Sequence, residues 1–146
     1  MSKPTLPAYP TKVLLAWAEA ISGHEEFRDW LMGSDYPELG LFCHALHNEP
    51  TARAWMRHHD HALLMALIEG AEGQQQAVDW LYSSGHPTIA DMALAADNDE
   101  EALVRLMQLA HVQNGDGLWA QIAVRIREVK NDIEAKNNDV HRIDPN

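Results

Sequence analysis

Nine histidines in a chain of 146 residues invite a search for metal chemistry. The sharpest constellation sets His44 and His47 against Glu69 and Glu72. Each pair is spaced three apart, so each projects from one face of a helix, and the second pair follows the first by 25 residues. Two imidazoles and two carboxylates facing one another across a groove would suit zinc or another transition metal. The competing chemistry is a charge-paired ridge in which the glutamates hold the histidines partly protonated. The run His58-His59-Asp60-His61 has a metal-binding composition, but adjacent side chains in a turn diverge, and Asp60 stands where it could cap the next helix. His61, His86 and His111 recur every 25 residues. Packed helices stand about 8–10 Å apart, too far for these to share one ion, so imidazoles bonded to neighbouring loop backbone are expected.

Nucleophilic chemistry has less to draw on. Cys43 is the single cysteine, and its apolar neighbours by position make it a small buried hydrophobe. Gly33-Ser34 and Ser83-Ser84-Gly85 recur because a loop recurs. The chain has no phosphate-cradling glycine loop and no zinc-protease histidine motif, so neither a catalytic group nor a cofactor is expected.

What positions these residues is a repeat. Asp29-Trp30-Leu31 and Asp79-Trp80-Leu81 are identical and lie 50 residues apart, followed by Ser34 and Ser84 and then by Pro37 and Pro87. Halving the interval gives four segments of 25 residues, 11–35, 36–60, 61–85 and 86–110. Their fourth positions are Leu14, Leu39, Leu64 and Ile89; their seventh, Trp17, Phe42, Leu67 and Met92. The eighth are Ala18, Cys43, Ile68 and Ala93, and the eleventh Ile21, Leu46, Ala71 and Ala96. Such spacing is one helical face. Gly23, Asn48, Gly73 and Asn98 then occupy one position, and these two residue types close helices in the left-handed conformation. A second stripe follows in each segment: Phe27, Ala52, Ala77 and Ala102; Trp30, Trp55, Trp80 and Arg105; Leu31, Met56, Leu81 and Leu106. The tryptophans are therefore expected in the core.

The fold expected is all-α: an α-solenoid of four 25-residue helix–turn–helix repeats with a C-terminal capping helix. The pattern resembles α-solenoids, and its paired short helices with a glycine or asparagine turn are similar to ankyrin repeats, with ankyrin- or HEAT-like stacking. The unit is shorter than an ankyrin repeat and lacks the hairpin with its threonine-proline-leucine-histidine signature, so no ankyrin residue is carried over. Residues 1–10, with Pro4, Pro7 and Pro10, read as an extended arm. Residues 111–136 read as a loop around Asn114-Gly115-Asp116-Gly117 and a helix from about Leu118 to Ala135, whose stripe of Trp119, Ile122, Ala123, Ile126, Val129 and Ile133 would shield the last repeat. Residues 137–146 read as a loose polar tail.

Eleven basic against 22 acidic residues leave a net charge of −11, which repels phosphate backbones and anionic headgroups and favours a basic protein partner. No apolar run reaches the roughly 20 residues of a membrane span. A single cysteine and an N-terminus without a signal-peptide stretch make the cytoplasm the expected location. The exposed side of the first helices would form a ridge of Glu19, His44, Glu69 and Leu94, with Ser22, His47, Glu72 and Asp97 one turn on. The function expected is a non-enzymatic adaptor or inhibitor that binds a basic protein or peptide along that ridge and weakens at mildly acidic pH. The alternative is a metal-binding protein or metal-dependent enzyme built on His44, His47, Glu69 and Glu72.

Overall fold

The computed structural model describes residues 9–112 and 117–143, with side chains described for 9–110 and 117–136. Among the described residues every regular element is a helix: α1 (Thr11–Ile21), α2 (Glu25–Met32), α3 (Pro37–Leu46), α4 (Pro50–His58), α5 (Ala62–Ala71), α6 (Gln75–Ser83), α7 (Pro87–Ala96), α8 (Glu100–Val112) and α9 (Leu118–Ile143). Among them no helix is long and apolar enough to cross a membrane.

The turns inside the helix pairs are one structure repeated. Gly23, Asn48, Gly73 and Asn98 all take positive φ, between 64° and 102°. In each case the next residue's N–H reaches back five residues: His24 to the Glu19 carbonyl, Glu49 to His44, Gln74 to Glu69, Asp99 to Leu94, at 3.0–3.2 Å. This bond closes a helix end around a left-handed residue. The second helix of each pair consequently begins at Glu25, Pro50, Gln75 and Glu100. Pro37, Pro50 and Pro87 sit in first turns, where the missing N–H costs nothing. The Glu49 carboxylate accepts from the backbone N–H groups of Thr51 and Ala52, satisfying two open donors of α4.

One turn differs from expectation. Asp60 does not cap α5; it takes φ 60° and closes α4, with the His61 N–H on the Met56 carbonyl at 3.0 Å. His61 is the cap residue of α5 and His86 that of α7, without a side-chain cap bond in either. His61 and His59 lie against the two-ring system of Trp55, at 5.3 and 4.2 Å between centroids.

All sixteen residues at the fourth, seventh, eighth and eleventh positions are buried, as are Leu31, Met56, Leu81 and Leu106 on the second helices. The tryptophans are not core. Trp30 and Trp80 are 44% and 43% exposed, and Trp55 is half-buried. A second helix of eight or nine residues buries only a narrow seam. The residue before the buried leucine is rotated about 100° away from it, onto the rim.

The first helices are closed by α9, whose Ile122, Ala123 and Ile126 are fully buried against α7 on one side and α1 on the other. Arg125 donates to the Ala18 carbonyl at 3.2 Å, to Ser22 Oγ at 2.9 Å and to Glu19 at 3.3 Å on α1. Arg127 donates to the Ala95 carbonyl at 2.9 Å, and Lys130 to Asp97 at 2.6 Å, on α7. The helix is also longer than the expected 118–135: its backbone stays helical to Ile143, so the loose tail expected from residue 137 is helical that far. Of the N-terminal arm, residues 1–8 lie outside the described residues, as do 113–116 of the loop and 144–146. Tyr9 is buried, its hydroxyl donating to Glu38 at 2.7 Å and its ring edge-on to Tyr36.

A close approach of two helices occurs between α5 and α7. A Cβ built on Gly70 would lie 2.7 Å from the Ala93 Cβ and 3.1 Å from Val78 Cγ2, contacts that neither neighbour can relieve by rotating. Helix propensity alone favours Gly70→Ala by about 1 kcal/mol. Overpacking opposes it by about 1–3 kcal/mol, so a lowered midpoint in thermal or urea unfolding is expected. An unchanged or raised midpoint would mean the two helices are not in that contact.

Candidate interaction grooves

The ridge residues keep their positions but not their freedom. Glu19, His44, Glu69 and Leu94 are half-buried, and Ser22, His47, Glu72 and Asp97 are exposed one turn on. Glu19 binds Arg125 and lies 3.4 Å from His24. Glu72 takes both guanidinium nitrogens of Arg53, at 3.1 and 3.2 Å, and the same Arg53 donates through Nε to the Ala45 carbonyl. Asp97 holds Lys130, and Glu69 faces Arg57 at 3.8 Å. Ser22 Oγ is on Arg125, and Leu94 packs on the core. Each acid of the expected ridge thus has a cation of the same chain beside it.

The metal constellation does not assemble. Glu69 and Glu72 turn to arginines rather than to His44 and His47, and among the described residues no group of three or more histidine, cysteine, aspartate or glutamate side chains converges as a metal site. The charge-paired alternative fails for the same reason. His47 has its pKa lowered, first by burial, then by His44, Lys136 and Arg28, against a smaller opposing pull from Asp132. Cys43 is buried, and burial pushes its thiol up to about 12, leaving it protonated and unreactive at neutral pH. His111 has no described side chain.

Open, apolar space lies elsewhere. A hollow of about 720 Å³ runs between α1, α2 and the edge of α9, lined by Leu15, Ala16, Phe27 and Trp30, with Lys12, Glu26 and the Glu19–Arg125 pair on its border. Leu15 is among the exposed large hydrophobic side chains, and the Lys12 ammonium sits 5.7 Å from the centre of the Trp30 ring. A second hollow of about 390 Å³ lies between α5 and α6, lined by Met65, Ala66, Ala77 and Trp80, with Asp60, Glu69, Gln76 and Arg57 around it. The two are the same place in the repeat. Leu15 and Met65, Ala16 and Ala66, Glu19 and Glu69, Glu26 and Gln76, Phe27 and Ala77, Trp30 and Trp80 are each 50 residues apart. A third hollow of about 600 Å³ opens between α8 and α9, on the far side of Arg125, with Leu103, Met107 and Val124 on its walls.

Of these lining residues, sequence reasoning reached Glu19 and Glu69 as ridge acids and assigned Trp30 and Trp80 to the core. It missed Lys12, Leu15, Met65, Arg57 and Arg125 as groove residues. The signal that pointed here was the identical Asp-Trp-Leu triplet: leucine is the buried member, and tryptophan the exposed one.

Comparison with protein-family models, with curated proteins and with solved structures yields no match to the chain.

The lowered pKa of His47 carries a sign that can be measured. The folded chain resists protonating this imidazole, whereas the unfolded chain takes up a proton near the ordinary value of 6.5. As pH falls through that value the unfolded state binds more protons, so stability declines. His47→Gln is expected to flatten the fall of the unfolding midpoint between about pH 7 and pH 5. The effect is shallow, because the ring is partly in solvent. A wild-type slope equal to or shallower than the variant's would contradict the assignment.

Proposed function

We propose that the chain is a non-enzymatic interaction module, a solenoid of four 25-residue helical hairpins closed by α9, that acts as an adaptor or inhibitor by binding a basic polypeptide segment. The observation that carries the reading is the tryptophan-walled groove between α1 and α2, an apolar hollow bordered by Glu19 and Glu26 on a chain of net charge −11. Apolar concavities with a few charged groups at the edge are where ligands bury surface and gain orientation, and tryptophan is the side chain most enriched at the energetic centres of protein interfaces. The acidic surface favours encounter with basic partners over nucleic acid or anionic membrane.

The groove replaces most of the ridge as the contact surface. Glu19 and Glu69 belong to both, while Glu72 and Asp97 are engaged by Arg53 and Lys130. Support for a role without chemistry comes from the perturbed groups, whose shifts point away from reactivity. The Cys43 thiol is raised by burial. The Tyr9 hydroxyl is raised by burial and by its bond to Glu38, and that of Tyr82 by burial and by its bond to Asp91. A cytoplasmic location belongs to the same proposal, supported by the free, buried Cys43.

The test is selection from a displayed library of random 12-residue peptides, with wild type compared with the variant Trp30→Ala/Trp80→Ala. Both side chains are exposed, so the variant should fold. Wild type is expected to enrich peptides that combine lysine or arginine with apolar residues, and the variant to lose them. Enrichment of peptides without positive charge, or the same peptides with both proteins, would overturn the reading.

A further inference from the structure

The two grooves differ at one position that bears on what they hold. In the first, the chain supplies its own cation: the Lys12 ammonium stands 5.7 Å from the Trp30 ring centroid, within the reach of a cation–π contact. In the second, the residue 50 positions on is Ala62, exposed and on the groove wall. The tryptophan that Lys12 serves has its counterpart in Trp80, 43% exposed, and no ammonium comes from position 62. The carboxylates differ in the same sense. Glu19 is held by an Arg125 that has two further acceptors, Ala18 O and Ser22 Oγ. Glu69 faces Arg57 only at 3.8 Å, and that arginine's side chain is 58% exposed. Asp60 borders the same hollow.

From this we infer that the groove of Met65, Ala66, Glu69 and Trp80 is a site for a lysine side chain of a partner polypeptide. The partner's ammonium takes the place that Lys12 occupies over Trp30, and its methylene stem lies along Ala62 and Ala77, above a floor of the buried Met65 and Ala66. The inference rests on the reading of the chain as an interaction module and adds the residue class recognised and the groove that recognises it. The stem of a lysine is apolar and its head charged, which matches a lining of alanines over a buried methionine, with Trp80 and the carboxylates of Glu69 and Asp60 at its border beside Arg57. In groove one the cation position over the tryptophan is filled in cis by Lys12, while the apolar hollow beside it stays open. Groove two is the same site left for a ligand in trans.

The experiment is an NMR titration of the tryptophan indole N–H resonances, assigned with Trp80→Phe and Trp30→Phe. The probes are the tripeptide acetyl-Gly-Lys-Gly-amide and its norleucine counterpart, which keeps the stem and lacks the ammonium. The Trp80 resonance is expected to move with the lysine peptide, with an affinity about two- to fivefold above that for norleucine, the worth of an exposed cation–π contact. Ala62→Lys should abolish the response by filling the site, and Lys12→Ala should make the Trp30 resonance respond as Trp80 does. Both positions are exposed, and an unchanged thermal midpoint shows the variants folded. Equal responses to the two peptides, or a response that survives Ala62→Lys, would overturn the lysine site while leaving peptide binding intact. Library peptides that bind without moving Trp80 would do the same. Failure of both tripeptides together with failure of the library selection would instead sink the interaction module itself.

Discussion

The architecture turns on a single backbone requirement, a residue at positive φ two positions after the end of each first helix. A ten- or eleven-residue helix is marginal alone and gains stability only by laying its apolar stripe against neighbours. For that to happen the chain must reverse sharply and in the same way each time. Gly23, Asn48, Gly73 and Asn98 make the reversal, and the backbone bond that follows each of them fixes where the next helix starts. Because the reversal is identical, equivalent apolar positions face equivalent neighbours, and sixteen buried residues on four helices form one core. Substituting a β-branched residue at any of the four would meet a steric cost that no adjacent packing relieves.

Charge is arranged around that core so that cations reach helix ends. Arg53 meets the carbonyl of Ala45 near the end of α3, Arg127 that of Ala95 near the end of α7, and Arg125 that of Ala18 on α1. Each of these carbonyls also accepts a backbone N–H, from Asn48, Asn98 and Ser22 respectively, so the guanidinium takes the remaining lone pair and meets the negative end of the helix dipole. Each of these arginines also binds an acid: Glu72, Glu100 and Glu19 respectively. A strongly acidic chain therefore places Arg53, Arg125 and Arg127 at the joints between helices, beside Glu72, Glu19 and Glu100.

This explains what could be read from residues alone and what could not. The core columns and the turns were legible because their signal is periodic, and a 25-residue period survives inspection without coordinates. The reach of α9 to α1 was not, because a contact between Arg125 and Glu19 joins residues 106 positions apart and leaves no periodic trace. The tryptophans misled for a local reason. Residues 27, 30 and 31 all fit helical spacing, but a two-turn helix buries residue 31 and exposes its neighbour. Asp60 misled because aspartate serves both as a helix cap and as a left-handed residue, and only the hydrogen bond from His61 to Met56 distinguishes the two. Tyr9 and Glu38 carried no pattern at all; their buried bond joins the arm to α3 through one pair.

The alternation of the hairpins follows from what the preceding element drops into each groove. Met32 of α2 lies over Gly40, where an added Cβ would come within 2.7 Å of its sulfur, so the second hairpin's hollow is filled by a thioether. Tyr82 of α6, 50 residues later, donates to Asp91, which also receives Arg105, so the fourth is filled by a polar cluster. Between them the same position is Arg57, whose guanidinium lies at the edge by Glu69, and a hollow stays open above the buried Met65 and Ala66. At the first hairpin Arg125 of α9 comes to the glutamate. Both of the described hollows thus have an arginine at the glutamate on their border. The 50-residue recurrence of the Asp-Trp-Leu triplet places an exposed tryptophan beside each of these two hollows.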